Sequence, residues 1–356
     1  MKLGIIGLPQ SGKTTLFNAL TRGSIPTGAV SGKLEMHTAV VDVPDPRVDA
    51  LSAMFKPKKT IYAKVTYVDI AGLDGSAGRS GISGSLLNQL TQMDGFIHVV
   101  RCFESDEIPH PAGSVDALRD IQIMDSELIL NDLIAVERKL ERLVEERKKG
   151  AGRDKAVIER EHELFSRFQA ALSEEKPLRD LEIDHEEEKM LSGFGFLSRK
   201  PILIVLNLSE GQAAPQIEYT HRHSQVVDLQ GKLEMDIAQL PPEEMEMFLQ
   251  EYNIEEPSLH RMIRLSYDLL GLQSFFTAGD DECRAWTTRR GATAPEAAGE
   301  IHTDLQKGFI RAEVVAYDDL MVLGGMAEAK AKGKLRLEGK EYIVKDGDVL
   351  NIRFNI

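Results

Sequence analysis

Residues Gly7-Leu8-Pro9-Gln10-Ser11-Gly12-Lys13-Thr14 match the pattern G-x-x-x-x-G-K-[ST], and they lie between an apolar run at 2–6 and a helical pattern at 13–23. No other feature limits the possible folds as much. A strand that delivers the chain into such a loop, and a helix that leaves it, form the phosphate-binding start of an α/β domain. Successive backbone N–H groups and the helix N-terminus offer positive potential to phosphate oxygens. The glycines let the backbone come close. Lys13 neutralises β- and γ-phosphates, and Thr14 offers its hydroxyl to Mg²⁺. Pro9, Gln10, Ser11, Gly12, Lys13, Thr14 and Thr15 are therefore the expected phosphate-binding residues.

Further apolar runs at 64–69, 96–100 and 201–206 read as strands with helical patterns between them. That alternation implies a mostly parallel sheet with helices on both faces. Residues 24–45 carry Gly, Pro and Ser and read as a long loop leading into the strand "TAVVDV". Asp69-Ile70-Ala71-Gly72 closes the second run. Asp69 can hold Mg²⁺ through water, and the Gly72 N–H can reach a γ-phosphate. Lys13 and Gly72 are thus the expected catalytic groups, with Thr14 and Asp69 as the metal site. Leu73 follows, where related switch proteins use Gln to orient water; a leucine side chain neither donates nor accepts. Asn207-Leu208-Ser209-Glu210 closes the last run. Asn207 can both donate to and accept from a purine. A short Asp at the place of Glu210 would accept both donors of guanine. Glu210 is one methylene longer and can swing away. Leu208 can pack on the purine face without bringing charge. The set is permissive for adenine and unfavourable for guanine.

Ile129, Leu133, Val136, Leu140 and Leu143 recur at spacings of four and three, the rhythm of a coiled-coil seam. After "KKGAGRD", Val157, Leu164, Phe168 and Ala171 repeat it. The pattern predicts an antiparallel helical hairpin inserted into the α/β domain. Its tip carries Arg147, Lys148, Lys149, Arg153 and Lys155, which read equally as a solvated end or as a contact for RNA or a protein partner. Residues 241–270 read as helical and 274–356 as a small strand-rich module. The expected domains are 1–110 with 200–273, the arm 111–199, and the module 274–356. A net charge of −14 argues against wholesale coating of nucleic acid. Neither a membrane-span run nor a signal peptide is seen, and Cys102 and Cys283 stand far apart, as in a reducing cytoplasm. His98 reads as a satisfied core residue. His221 and His223 lack the partners of a metal site, and Phe275, Phe276 and Trp286 read as core packing.

The stretches "GLPQSGKTTLFNALT", "VPDPRVDAL", "VDIAGL", "HVVRCF", "KPILIVLNLSE" and "FFTAGDDECRAWTTRRGATAPEAAGEIHTD" together resemble the YchF/Obg-like ATPase family over nearly the whole chain. The resemblance implies a P-loop NTPase with a Ras-like G domain, an inserted antiparallel helical arm and a C-terminal β-grasp TGS domain. It implies a cytoplasmic protein that associates with the ribosome or ribosomal RNA and hydrolyses ATP in preference to GTP; a monomer without a membrane partner is the separate expectation. A hydrophobic residue in place of the catalytic Gln is a family trait that Leu73 fits. Several positions depart from the family. Gln10 and Ser11 replace Asn and Val in the loop, which puts assistance by a monovalent cation in doubt. Lys33 stands where the family offers Mg²⁺ a Thr, with Thr27 and Thr38 as the other hydroxyls, while Glu35 keeps its acidic match. Residues 74–87 lack the usual Gly-Glu-Gly-Leu-Gly pattern. The base-side Ser-Ala is Gln230-Gly231, and Gly231 joins Asn207, Leu208 and Glu210 as a nucleotide-binding position. The phosphate cradle is kept while both switches have drifted. The expectation is a divergent member that hydrolyses ATP slowly as a ribosome-associated switch, or alternatively a nucleotide-binding scaffold with little or no hydrolysis. A P-loop kinase is disfavoured, because Arg79 is the only basic residue in 74–95, where a lid would stand.

Overall fold

The computed structural model describes residues 1–23, 25, 37–70, 73, 82, 84–149, 153–252, 254 and 256–355. The expected catalytic residue Gly72 and the switch positions Thr27, Lys33, Glu35 and Arg79 lie outside the described residues. The first elements are β1 (Lys2–Ile6), α1 (Lys13–Thr21), β2 (His37–Asp42), α2 (Pro46–Phe55), β3 (Lys59–Ile61), β4 (Lys64–Asp69), α3 (Gly84–Thr91) and β5 (Gly95–Arg101). They are followed by α4 (Ala117–Lys149), α5 (Lys155–Ser173), α6 (His185–Met190), β6 (Ile202–Asn207), β7 (Ser224–Leu229), α7 (Gly231–Gln239), α8 (Pro242–Glu251) and α9 (Ser258–Leu269). The last part contains β8 (Leu272–Ala278), β9 (Glu282–Arg289), α10 (Ala294–Ile301), α11 (Thr303–Lys307), β10 (Phe309–Ala316), α12 (Tyr317–Leu323), α13 (Met326–Ala331), β11 (Arg336–Glu338) and β12 (Asp348–Phe354). Two compact units result, 1–39 with 66–259 and 40–65 with 260–356.

The sheet of the first unit runs β2-β4-β1-β5-β6-β7. β1 pairs parallel with β4 and β5, and β6 pairs parallel with β5 and β7. β5 and β6 are buried at every residue, because both faces of such a sheet are covered; this is why they read as unbroken apolar runs. β7, with the sequence SQVVDL and only two buried residues, is an edge strand and has no such signature. Ile6, Val68, Ile70, Leu73, Leu90, Phe96, Met124, Leu128 and Ile202 form one continuous core on this sheet.

α4 and α5 form the helical hairpin. Ile129, Val136 and Leu143 on α4, and Leu164, Phe168 and Ala171 on α5, are buried in its seam. Val157 is not; it is 41% exposed, and Ile158 takes the inward place. The Asp154 carboxylate accepts the Ala156 N–H and starts α5 at Lys155, so Val157 lies in the first turn of the helix, and only there does the seam depart from the expected positions. At the tip two of the cations are paired within the arm. Arg147 pairs with Glu159 at 2.6 Å, and Arg153 with Glu146 at 3.0 Å and Glu161 at 2.5 Å. At the root, the buried Asp132 of α4 accepts the N–H groups of Leu197 and Ser198 at 2.9 and 2.7 Å and the Ser198 hydroxyl at 2.7 Å. Asp125 of the same helix binds Arg179 at 3.2 Å and the Tyr219 hydroxyl at 2.7 Å.

The second unit holds the mixed sheet β11-β10-β12-β8-β9-β3. The antiparallel hairpin β8–β9, the parallel pair β8–β12 and the covering helix α10 give a β-grasp arrangement. Phe275, Ala294, Ala297, Ala298, Phe309, Val314 and Leu350 are its core, and Trp286 packs against it with its indole N–H on Thr277. Its last strand, β3, pairs parallel with β9 although more than 200 residues separate them in the chain, as Lys59↔Glu282 shows. Arg47 of α2 binds Asp346 at 2.7 Å and lies 5.0 Å from the centre of the Phe276 ring, which fixes α2 to this sheet. The segment 340–347 contributes one isolated bridge, Thr293↔Ile343, and no strand before β12 opens at Asp348.

Candidate nucleotide site

β1 delivers the chain to Gly7 at the carboxyl edge of the sheet, where ligands of open parallel sheets bind. The backbone turns at Gly7 (φ 148°), Gln10 (φ 63°) and Gly12 (φ 99°) before α1 begins at Lys13. A side chain at Gly7 would overlap the Val99 carbonyl. The Ser11 side chain is buried, Pro9 and Gln10 are exposed, and Gly12, Lys13, Thr14 and Thr15 are half-buried. Lys13 Nζ donates to the carbonyls of Gly7 and Leu8, both at 2.8 Å. Burial pulls its ammonium down to about 8, against the opposing pull of Asp69. Burial also raises the Asp69 carboxyl above its ordinary range, opposed by Lys13, by the Thr14 hydroxyl and by His37. Thr14 Oγ1 donates to Asp69 Oδ2 at 3.3 Å.

These two oxygens fit Mg²⁺. A hydroxyl and a carboxylate side by side at a phosphate loop are hard donors, and this ion takes one or two protein oxygens while phosphates and water complete its shell. Among the described residues no cluster of three or more His, Cys, Asp or Glu offers an all-protein cage.

Asn207 sits at the end of β6, in register with Arg101 of β5 and Leu229 of β7. Its Nδ2 donates to the Ser11 carbonyl at 3.0 Å, and its Oδ1 accepts the Gly231 N–H at 3.0 Å. The carboxamide is packed so closely that a Cβ on Gly12 would overlap Nδ2, and one on Gly231 would stand 2.8 Å from Oδ1. Asn207 thus ties the phosphate loop to the start of α7, and keeps one N–H and one lone pair beyond these bonds. The structure brings Ser11, Gly12, Asn207 and Gly231 together. Leu208 turns into a core with Val100, Cys102, Ala117, Ile121, Ile204 and Leu206. Glu210 is exposed beyond it. Leu73 is buried at 3% exposure in the core beneath the site.

Arg101, within the stretch "HVVRCF", and His110 receive no role from the sequence. Arg101 is 1% exposed, donates through Nε and Nη2 to the Phe103 and Ile108 carbonyls, and leaves Nη1 without an acceptor. His110 is buried against Asp120 at 2.9 Å, and its Nδ1 accepts the Ala112 N–H. His98 is a core residue but not a satisfied one. Neither ring nitrogen has a partner, and burial lowers it to about 4, so the ring is neutral. His221 pairs with Asp180 at 2.7 Å.

Residues 2–139 match a family model described as 50S ribosome-binding GTPase, and 272–355 match the C-terminal domain of YchF GTPases, described as a protein of unknown function, DUF933. The Ribosome-binding ATPase YchF of Bacillus subtilis (strain 168) is 42% identical, the match covering 99% of each chain. The chain belongs to the YchF family. The Haemophilus influenzae Ribosome-binding ATPase YchF is 43% identical over 100% of this chain and 99% of that one. Obg-like ATPase 1 of Gallus gallus is 37% identical over 100% of this chain and 92% of its own. The solved structure of the Schizosaccharomyces pombe YchF GTPase superposes with a TM-score of 0.83 at 29% identity, covering 99% of this chain and 97% of that one. YchF relatives thus carry both nucleotide names, ATPase and GTPase, and the base side of the site is where this chain must choose. No described helix is long and apolar enough to cross a membrane.

Proposed function

We propose that this YchF family member binds ATP with Mg²⁺, hydrolyses it slowly to the diphosphate and phosphate, and acts in the cytoplasm as a monomeric, ribosome-associated switch. The observation that carries the reading is the strapped phosphate loop, with Lys13 above it and the Thr14–Asp69 pair beside it. Lys13 and the loop N–H groups bind the phosphates, and the Gly72 N–H holds the γ-phosphate. Mg²⁺, held by Thr14 and through water by Asp69, would neutralise charge on the β- and γ-phosphates. On the base side, Asn207 offers its remaining N–H to N7, Gly231 keeps that carboxamide in place, and Leu208 backs the pocket from the core. The exposed Glu210 leaves adenine's ring nitrogen without an opposing carboxylate. Relatives named ribosome-binding ATPases support both the nucleotide and the partner.

Slow hydrolysis follows from Leu73, whose side chain is apolar and faces the core, so it orients no water. The same observation favours the second reading, a nucleotide-binding scaffold. Calorimetric titration with non-hydrolysable ATP and GTP analogues plus Mg²⁺ tests the binding. ATP is expected to bind more tightly, and a clear GTP preference would overturn the base assignment. Phosphate release by wild type and by Lys13→Ala separates the two readings, since turnover that is equal in both belongs to a contaminant and leaves the scaffold. Co-sedimentation with ribosomes that ignores nucleotide would sink the switch.

Affinity also has a predicted pH dependence. Phosphates favour the charged form of Lys13, whose ammonium loses its proton near pH 8 in the free protein. Above that pH the protein must take up a proton to bind. Affinity for ATP should therefore fall by up to about tenfold per pH unit as the pH rises past about 8. Titrations in buffers of different ionisation enthalpy should show proton uptake near pH 8.5. Binding with no net proton uptake there would show that Lys13 is already charged.

A further inference from the structure

β5 and β6 pair in parallel as far as Arg101↔Asn207, and the Cys102 N–H then donates to the Asn207 carbonyl at 2.9 Å. In a parallel ladder the next bond would run from the Ser209 N–H to the Cys102 carbonyl. Here the carboxamide of Gln212 is inserted into that bond. Its Oε1 accepts the Ser209 N–H at 2.9 Å, and its Nε2 donates to the Cys102 carbonyl at 2.6 Å. The two partners fix which end of the amide faces which strand. The Gln212 N–H also donates to the Ser209 carbonyl at 3.2 Å, so one residue holds both backbone groups of Ser209. Gly211, with φ 71° and nothing within 4 Å of its would-be Cβ, makes the turn that brings Gln212 back. An amide inserted into a ladder bond sets the two chains apart by the width of the amide. Ser209 and Glu210 are thus held off the end of β5, and both are exposed.

We propose that Gln212 is a positioning residue for base selection, its inserted carboxamide keeping the Glu210 turn away from the edge of the bound base. The inference rests on the nucleotide reading above and supplies the cause of the Glu210 placement that reading uses. Gln212 itself touches no nucleotide; it acts through the turn. A carboxylate at the base edge would accept the two donors of guanine and oppose the ring nitrogen of adenine. Held off, Glu210 leaves adenine unopposed and gives guanine nothing. Without the carboxamide, the Ser209 N–H and the Cys102 carbonyl turn to each other or to water, and the turn loses its fixed offset. Glu210 then gains access to the base edge, and the benefit falls to guanine alone.

The test uses the full chain with Mg²⁺, non-hydrolysable adenosine and guanosine triphosphates, and inorganic triphosphate. Gln212→Ala is expected to lower the ratio of adenosine to guanosine affinity roughly tenfold, the worth of a carboxylate on guanine's donors. Its affinity for inorganic triphosphate, which meets only the phosphate loop, should equal that of wild type, whereas damage spread through the fold would weaken all three ligands together. The effect must also run through Glu210, so Glu210→Ala and the double variant Gln212→Ala with Glu210→Ala should show the same ratio. A Gln212→Ala protein that keeps the wild-type ratio, or a double variant whose ratio falls tenfold below that of Glu210→Ala, overturns the assignment and leaves the nucleotide site standing. Wild type that binds neither nucleotide removes the nucleotide reading and this inference together. Should Gln212→Ala fail to fold, Gln212→Glu decides. While ionised it still accepts from Ser209 but opposes the Cys102 carbonyl, so its ratio must fall as well, and a wild-type ratio there refutes the assignment.

Discussion

Gly12→Ala is expected to weaken nucleoside triphosphate binding about 100-fold, which corresponds to roughly 3 kcal/mol. Two effects combine. Gly12 has φ 99°, a left-handed conformation that costs a residue with a Cβ about 1 kcal/mol. The added methyl would also overlap the Asn207 amide nitrogen. That carboxamide has nowhere to retreat, since its other end accepts the Gly231 N–H and its nitrogen is held by Ser11. The loop must therefore shift, and the N–H groups it aims at phosphate shift with it. Gly113→Ala is the control. Gly113 also has positive φ, at 82°, but nothing lies within 4 Å of its would-be Cβ. It should lose about 1 kcal/mol of stability or less and keep its nucleotide affinity. If calorimetry found Gly12→Ala binding as tightly as Gly113→Ala, the strut would not be holding the loop.

This arrangement explains what could be read beforehand. The pattern G-x-x-x-x-G-K-[ST] is legible because its glycines are demanded locally by their backbone angles. Asn207 is legible as a strand-end residue because β6 is buried on both faces and reads as one apolar run. Its commitment to Ser11 and Gly231 is not legible, since those partners lie 196 and 24 residues away. Sequence comparison registers Gly231 as the loss of a Ser-Ala pair. In the fold, the same glycine is what lets the carboxamide pack.

The rest escaped for physical reasons of the same kind. β3 has three residues, too few to show any period, and its partner β9 comes from the far end of the chain. The first seam position of α5 is illegible because Val157 and Ile158 are equally apolar, while Leu164, Phe168 and Ala171 keep the expected places. Asp132 looks like a solvated position among the charges of α4. It is buried because a loop 65 residues on supplies its donors.

That carboxylate carries the second large expectation, that Asp132→Asn destabilises the first unit by about 2–4 kcal/mol at pH 7. Its oxygens accept from two different backbone N–H groups, Leu197 to Oδ1 and Ser198 to Oδ2, with the Ser198 hydroxyl on Oδ2 as well. An amide in its place turns one acceptor into a donor, so one N–H faces another inside the core. These bonds close the loop between the arm and β6, and their loss should loosen the root of the hairpin before the phosphate loop. Burial nevertheless holds the Asp132 carboxyl at about 6, above its ordinary 3.8, despite the hydrogen bonds that favour its charge. A raised folded value means that the native state binds the extra proton between these limits. The stability this adds is fully present below about pH 4 and is lost as the pH rises through about 6. Asn does not titrate, so the gap between variant and wild type should widen by about 1 kcal/mol as the pH falls from 7 to 5. Denaturant melts at the two pH values measure the gap directly. A gap that narrows toward pH 5 would mean that Asp132 is held charged in the fold, with its hydrogen bonds outweighing its burial.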